Sequence, residues 1–423
     1  MQHIMKLLQW GSPIIAALIV GLAILMGQLP IARGRPSIDA QGYHFTSYTY
    51  ESIQHVIFIG PNNHINELYY GPNLNSGQWW HTDLTQTATN DGTITAAPGT
   101  ALVGYSDSTQ HVVFFGSDGD LHEFWSTGNP VTWKDTDLTK SITGLSKAAP
   151  KSPLVGYIWQ GAEHIIYIGS DNHIDELSYV GQWKFNDLTS NGNPCAAPGS
   201  GLASYVWQSD GSQHVIYIDA SNHIQELWST SNTGPWSRTD LTNKTEAPSV
   251  GSNSALTDYA EEIREHVVYI DTNTHIHELV YNSSTLTWSS NDLTNAVSNA
   301  SNIPAAKSAL ASYSDSVQHI IYVDSSNHIQ ELWSPTSTGL WNLTDLTNTA
   351  MNSSAAVPGS DLVSYIWLAN GTQHIIYIGS DYNIYEVWST LQPGSWQGHN
   401  ITIAWPVDSG SFVNNNSSRQ SPR

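Results

Sequence analysis

From residue 213 to 229 the chain reads QHVIYIDASNHIQELWS, two apolar runs joined by the turn-forming tripeptide Ala-Ser-Asn. The first run is apolar at successive rather than alternate positions, which suits a strand buried on both faces in the middle of a sheet. A shorter run, GLASY, precedes it at 201–205, and WSRTDLT follows at 236–242 through TSNTGP. Val, Ile, Tyr and Trp fill the runs, while Gly, Asn, Ser, Asp and Pro fill the gaps. No segment sustains an apolar period of 3.6. The pattern predicts four strands and almost no helix.

The same text recurs. QHIIYVDSSNHIQELWS stands at 318–334, and the histidine that opens it is matched at His55, His111, His164, His214, His266, His319 and His374. The intervals are 56, 53, 50, 52, 53 and 55 residues. A period of this size belongs to a solenoid, a propeller or an array. Four antiparallel strands cannot bury two faces alone, but stacked radially each small sheet covers its neighbours. The expected fold is all-β, a seven-bladed β-propeller of four-stranded antiparallel blades over residues 43–402. No strand is left over to complete another blade, so the ring is expected to close by side-chain packing between blades one and seven.

Outside the ring, residues 1–12 are a flank and 13–32, PIIAALIVGLAILMGQLPIA, are apolar apart from Gln28. About 20 such residues are enough to span a bilayer. A cleaved signal peptide is the alternative, although the small-x-small cleavage pattern is poor, with Pro30 close before Ala32. Lys6 precedes the segment and Arg33 and Arg35 follow it, which leaves the orientation open. An exported protein, secreted or anchored by this segment, is the expectation, with membrane contact confined to the segment. Residues 33–42 read as a linker and 403–423 as a polar, disordered tail.

Fourteen basic against 36 acidic residues give a formal net charge of −22, which argues against nucleic acid and anionic membrane surfaces as partners. Only 12% of residues are charged, so the surface is largely Asn, Ser, Thr and Gln, suited to neutral polar ligands such as sugars. The single cysteine, Cys195, permits no internal disulfide and reads as a small buried filler.

Eighteen histidines make a metal site tempting. Metal ligands must converge on one point, however, and one histidine per blade around a ring does the opposite. A structural role is expected for the second-strand set, with hydrogen bonds across strands to the aspartates of the DLT segments: Asp83, Asp137, Asp187, Asp240, Asp292 and Asp345, with Asn400 in the last repeat. A second set opens the third strand at His64, His173, His223, His275 and His328. A glutamate recurs in every third strand: Glu67, Glu123, Glu176, Glu226, Glu278, Glu331 and Glu386. A residue present seven times cannot mark one catalytic centre. These glutamates are either buried acceptors or acceptors for sugar hydroxyls, Glu226 and Glu331 being the candidates for the latter. A sialidase would need an arginine cluster, and only Arg238 and Arg264 of six arginines lie within the ring.

Tryptophan is the informative residue. One per repeat opens the fourth strand, at Trp79 or Trp80, Trp133, Trp183, Trp236, Trp288, Trp341 and Trp396, and reads as packing between blades. A second set ends the third strand at Trp125, Trp228, Trp333 and Trp388, replaced elsewhere by Tyr69, Ser178 and Val280. A third lies between strands one and two: Trp159, Trp207 and Trp367, flanked by Gln160, Glu163 and Gln208. The last two sets vary between blades and fall at the same end of an antiparallel sheet. An indole offers a flat apolar face to the C–H side of a sugar and an N–H to its hydroxyls. Blades three, four and seven, with Trp159, Trp207 and Trp367, are therefore expected to bind best.

The recurring QHVIYI…NHIQELW…W…DLT resembles the seven-bladed propeller lectins of the Photorhabdus type, the PLL-like family, across about residues 43 to 402. Members of that family bind fucose and O-methylated sugars between adjacent blades and are not enzymes. The resemblance implies a multivalent lectin for glycans of this kind; no cofactor or metal is expected from the residues, and a homo-oligomer is one expectation because lectin rings often pair. Six-bladed fucose lectins of the Aleuria type are a poorer match, since they use an arginine in each site. The alternative is an exported or membrane-tethered protein-interaction scaffold.

Overall fold

The computed structural model describes residues 44–404, apart from 73, 75–76, 90–91, 129–130, 143, 191, 298–303, 305–307, 336–338 and 391–394. The expectations for residues 13–32 and for the tail beyond residue 404 lie outside the described residues. Among those described, no helix is long and apolar enough to cross a membrane.

Seven four-stranded antiparallel sheets follow one another along the chain, each with its strands in sequence order. The blades span residues 45–83, 102–137, 154–187, 202–240, 256–292, 310–345 and 362–400. The second strand of blade 4, Ser212–Ile218, is buried at all seven positions, as a run apolar on both faces requires. In the turn that follows, Asn63, Asn172, Asn222 and Asn327 hold φ of 59–65°, the left-handed region that asparagine tolerates.

Each core cluster joins two blades. Ile216 and Ile224 of blade 4 pack with Val267 and Leu279 of blade 5. Ile376 and Ile384 of blade 7 pack in the same way with Val56 and Leu68 of blade 1, so the ring closes by side-chain packing. Hydrogen bonds reinforce the junctions. At every junction but that of blades 5 and 6, the first-strand tyrosine of one blade donates to the residue preceding the second-strand histidine of the next; Tyr259 of blade 5 donates instead to Glu278 of its own blade. The bonds run from Tyr157 to Gln213 at 2.8 Å, from Tyr313 to Gln373 at 2.7 Å, and across the closure from Tyr365 to Gln54 at 2.5 Å.

The fourth strand is shorter than its sequence suggests. In blade 4 it runs Ser237–Asp240, and Leu241–Thr245 is a short helix. The DLT segment causes this switch. Asp240 caps the helix by accepting from the Asn243 N–H, as Asp292 and Asp345 do in their blades. Leu241 is fully buried. The threonine hydroxyl then accepts the first N–H of the third strand in all seven blades, at 2.5–3.1 Å, from Ile65 to Thr85 in the first and from Ile384 to Thr402 in the last.

Candidate functional site

The histidine network differs from the expected one. The second-strand histidines pair with the third-strand glutamates, not with the DLT aspartates. Nδ1 of His55, His111, His164, His214, His266, His319 and His374 lies 2.7–3.0 Å from Oε1 of Glu67, Glu123, Glu176, Glu226, Glu278, Glu331 and Glu386. The reason is register: His214 stands opposite Trp228, which puts Glu226 on the adjacent diagonal. Each imidazole also stacks on the first-strand tyrosine of its blade, with centroids 4.2–5.1 Å apart. The DLT aspartates are taken by the other histidine set: His64, His173, His223, His275 and His328 meet Asp83, Asp187, Asp240, Asp292 and Asp345 at 2.7–3.0 Å. These two networks account for the repetition of His and Glu.

The tryptophans divide differently. Trp159, Trp207 and Trp367 are the last residues of first strands rather than loop residues, and they are buried, at 5%, 4% and 2% exposure. The strand-end set Trp125, Trp228, Trp333 and Trp388 is half-buried. In the first repeat Trp79 takes the packing position and Trp80 is exposed.

Two junctions bring these sets together. Between blades 4 and 5, a cavity of 270 Å³ is lined by Trp207, Trp228, Tyr281 and Trp288, with His214, Glu226, Glu265, Asp210 and Lys244 among its polar groups. Between blades 7 and 1, a cavity of 180 Å³ is lined by the residues at matching positions: Trp367, Trp388, Tyr70 and Trp79, with His374, Glu386, Gln54 and Asn370. The aromatic geometry repeats. Trp207 meets Tyr281 edge-on at 5.9 Å and 88°, and Trp367 meets Tyr70 at 5.7 Å and 77°. Tyr281 and Trp288 lie 5.5 Å apart, Tyr70 and Trp79 5.6 Å. In both sites a hydroxyl holds the far nitrogen of the histidine, Ser212 on His214 and Thr372 on His374, each at 2.6 Å.

The remaining blades lack one part or another. Blade 3 has Trp159, but Ser178 replaces the strand-end tryptophan, Ser229 stands at the tyrosine position of blade 4, and Ala162 replaces the hydroxyl. Trp125 and Trp333 keep the strand-end platform, with Nε1 bonded to Thr136 and Thr344 at 3.0 Å, but Asp107 and Asp315 stand where the buried tryptophan would be. Glu331 is buried against His319 in such an incomplete junction. Blade 5 offers a cavity toward blade 6 lined by Arg264, Val280, Asn282 and Trp341, with Val280 in place of the platform.

Tyr70 and Tyr281 escaped the sequence reading because each belongs to the repeat after the one whose site it completes. Their signal, an aromatic one residue beyond the strand-end position in ELYY and ELVY, is present in the text.

Electrostatically the two sites differ. Burial pushes the Glu265 carboxyl up to about 7, and neighbouring Glu226 adds to the rise. Burial opposes protonation of His214, but Glu226 and Glu265 outweigh it and raise its pKa. At the other junction Gln54 replaces Glu265 and Asn370 replaces Asp210, leaving Glu386 as the one acid among the lining residues. Among the described residues, no arginine lines either cavity. Cys195 is half-buried, with its thiol held protonated by burial and by Asp171 and Asp187.

No protein-family model and no curated protein matches the chain. Solved structures do. The BP39L lectin of Burkholderia pseudomallei is similar over 84% of this chain and 98% of its own, with a TM-score of 0.62 at 14% identity. At this identity the likeness is one of fold. A mutant Aleuria aurantia lectin in complex with alpha-methyl-L-fucoside covers 73% of this chain and 96% of its own, with a TM-score of 0.51 at 17% identity. The same lectin, described as a six-bladed β-propeller with a novel fucose recognition mode, gives 0.50 at 18%. With six blades, the Aleuria aurantia lectin leaves more of the present chain uncovered than BP39L does.

Proposed function

We propose that this protein is a non-catalytic carbohydrate-binding protein with two complete sites, at the junctions of blades 4 and 5 and of blades 7 and 1. The observation that carries the reading is the reappearance of one aromatic box over one His–Glu pair at two separate junctions. Each cavity is below the ~300–1,000 Å³ of pockets that enclose drug-sized ligands, so each suits a single sugar ring. Indole and phenol faces would cover the apolar side of the sugar, and Glu226 or Glu386 would accept from its hydroxyls. Without an arginine in either cavity, neutral sugars are favoured over acidic ones. A methyl or O-methyl substituent adds apolar surface against the aromatic walls, in keeping with fucose-like or O-methylated ligands and with the PLL-like resemblance. The recurring glutamates are tied to histidine rather than set apart in pairs, which supports binding without hydrolysis.

Calorimetric titration with L-fucose and with O-methylated monosaccharides tests the reading. Two sites per chain are expected, one after Trp228→Ala or Trp388→Ala, and none in the double variant. On a multivalent glycan surface, losing one site should weaken retention by about 10²-fold or more, because linked sites gain avidity without new contacts. Undiminished binding in the double variant would place the sites elsewhere.

A further inference from the structure

Blade 5 departs from its neighbours at the end of the sheet away from the aromatic boxes. Its third strand opens His275-Ile276-His277, where blades 4 and 6 have His223-Ile224-Gln225 and His328-Ile329-Gln330. Residues two apart in an extended chain share a face, so the two imidazoles stand on one side. In blades 4 and 6 the glutamine amide donates to Asp219 and Asp324 at 2.9 Å. In blade 5 the matching Asp271 has its Oδ2 3.3 Å from His277 Nε2, and Asp292 Oδ2 lies 3.9 Å from the same nitrogen. His275 Nδ1 is 2.8 Å from that Asp292 oxygen.

His277 is 5% exposed, and neither of its ring nitrogens has a hydrogen-bond partner. A buried polar group left unsatisfied calls for an explanation. The contrast with blade 2 sharpens the point. His122 occupies the same register position, but Asp135 and Asp118 meet its two nitrogens at 3.0 and 3.2 Å, and Asp120 stands where a second histidine would be. In blade 5, ligating atoms of His275, His277 and Asp292 all lie within 4.8 Å of one another; those of Asp118, His122 and Asp137 do so in blade 2, but with one imidazole in place of two and with both of its nitrogens already bonded.

We propose that blade 5 binds one zinc-like divalent cation through His275, His277 and Asp292, with Asp271 at the fourth position. Two imidazoles with carboxylates suit Zn²⁺, whereas Mg²⁺ and Ca²⁺ take all-oxygen sets. Both acids are already oriented. Asp271 Oδ1 accepts from the N–H groups of Asn273 and His275 at 2.8 Å, and Asp292 Oδ1 from the Asn295 N–H at 2.9 Å. The side-chain amides of Asn273 and Asn295, 3.4 and 2.6 Å from the Oδ2 atoms, become outer hydrogen bonds to the ligands. The cation would tie the turn before the third strand to the end of the fourth.

Tag-free protein, stripped with EDTA, is titrated calorimetrically with ZnCl₂ near neutral pH. One site per chain is expected, weakened at least about 10-fold in His277→Gln, since even outer partners of a metal site contribute that much. His122→Gln should bind as the wild type does, and Mg²⁺ and Ca²⁺ should not compete. His277→Gln restores the residue of blades 4 and 6, and His275→Asn adopts the Asn383 of blade 7, so circular dichroism should show both folded. Failure of the wild type to bind Zn²⁺, or undiminished binding in both variants, overturns the proposal. Sugar binding is unaffected in either case, because the boxes lie at the other end of the blades.

Discussion

Glu163 and Glu265 occupy a position that is glutamine in the other five blades: Gln54, Gln110, Gln213, Gln318 and Gln373. Each glutamate accepts from a tyrosine of the preceding blade, as the glutamines do at most other junctions, so glutamine would keep that bond. Burial and a neighbouring glutamate raise both carboxyls to about 7. A carboxyl whose folded pKa lies above its unfolded value binds more protons in the native state, so its contribution falls as pH rises from about 4.5 through 7. Glu265→Gln is therefore expected to raise the melting temperature by about 1–4 °C at pH 8 and to change little at pH 4.5. The tryptophans separate in the same kind of experiment. Trp207, almost fully buried, should cost about 3–5 kcal/mol on replacement by alanine, seen in a denaturant titration. Half-buried Trp228 should lose sugar binding at nearly unchanged stability. Replacing Trp159, Trp207 and Trp367 together is thus expected to damage the fold, since all three are buried at strand ends rather than free between strands one and two.

At the scale of the element, DLT does three jobs in three residues: a cap, a buried anchor and an acceptor for the next strand. Asp345 both caps the helix Leu346–Thr349 and holds His328 at 2.8 Å. Asp345→Ala is expected to cost about 1–2 kcal/mol, the usual worth of a cap, measured by urea unfolding. Thr347→Val leaves the Ile329 N–H without its acceptor and should cost about 1–3 kcal/mol. The helices escaped the sequence reading for a physical reason. Four to six residues complete little more than one turn, which is too short for a 3.6-residue period to show. The strands were legible because a central strand must be apolar on both faces whatever surrounds it.

For the ring as a whole, the closing junction is built like the internal ones, without a shared strand. Tyr365→Phe removes the hydroxyl that donates to Gln54 across the closure, and Tyr313→Phe removes the one that donates to Gln373 between blades 6 and 7. Similar losses of about 1 kcal/mol are expected from the two. A much larger loss from Tyr365→Phe would mean that closure is the weak seam. The same architecture confines complete sites to junctions, because the walls of a site come from two successive blades.

The sequence by itself determined the blade count, the order of strands and the absence of a spare strand, because a repeat of fixed length carries its hydrogen-bonding and burial pattern with it. It also placed the two variable tryptophan sets at one end of the sheet, since antiparallel connectivity leaves no other arrangement. Only the tertiary structure decided which tryptophans face a cavity and which are buried against the next blade. It alone showed that Glu226 holds His214 while Asp240 holds His223. Those outcomes depend on register between strands and on packing between repeats, and one-residue differences such as Ser178 for Trp228 or His277 for Gln225 acquire meaning only beside the neighbours that the ring supplies.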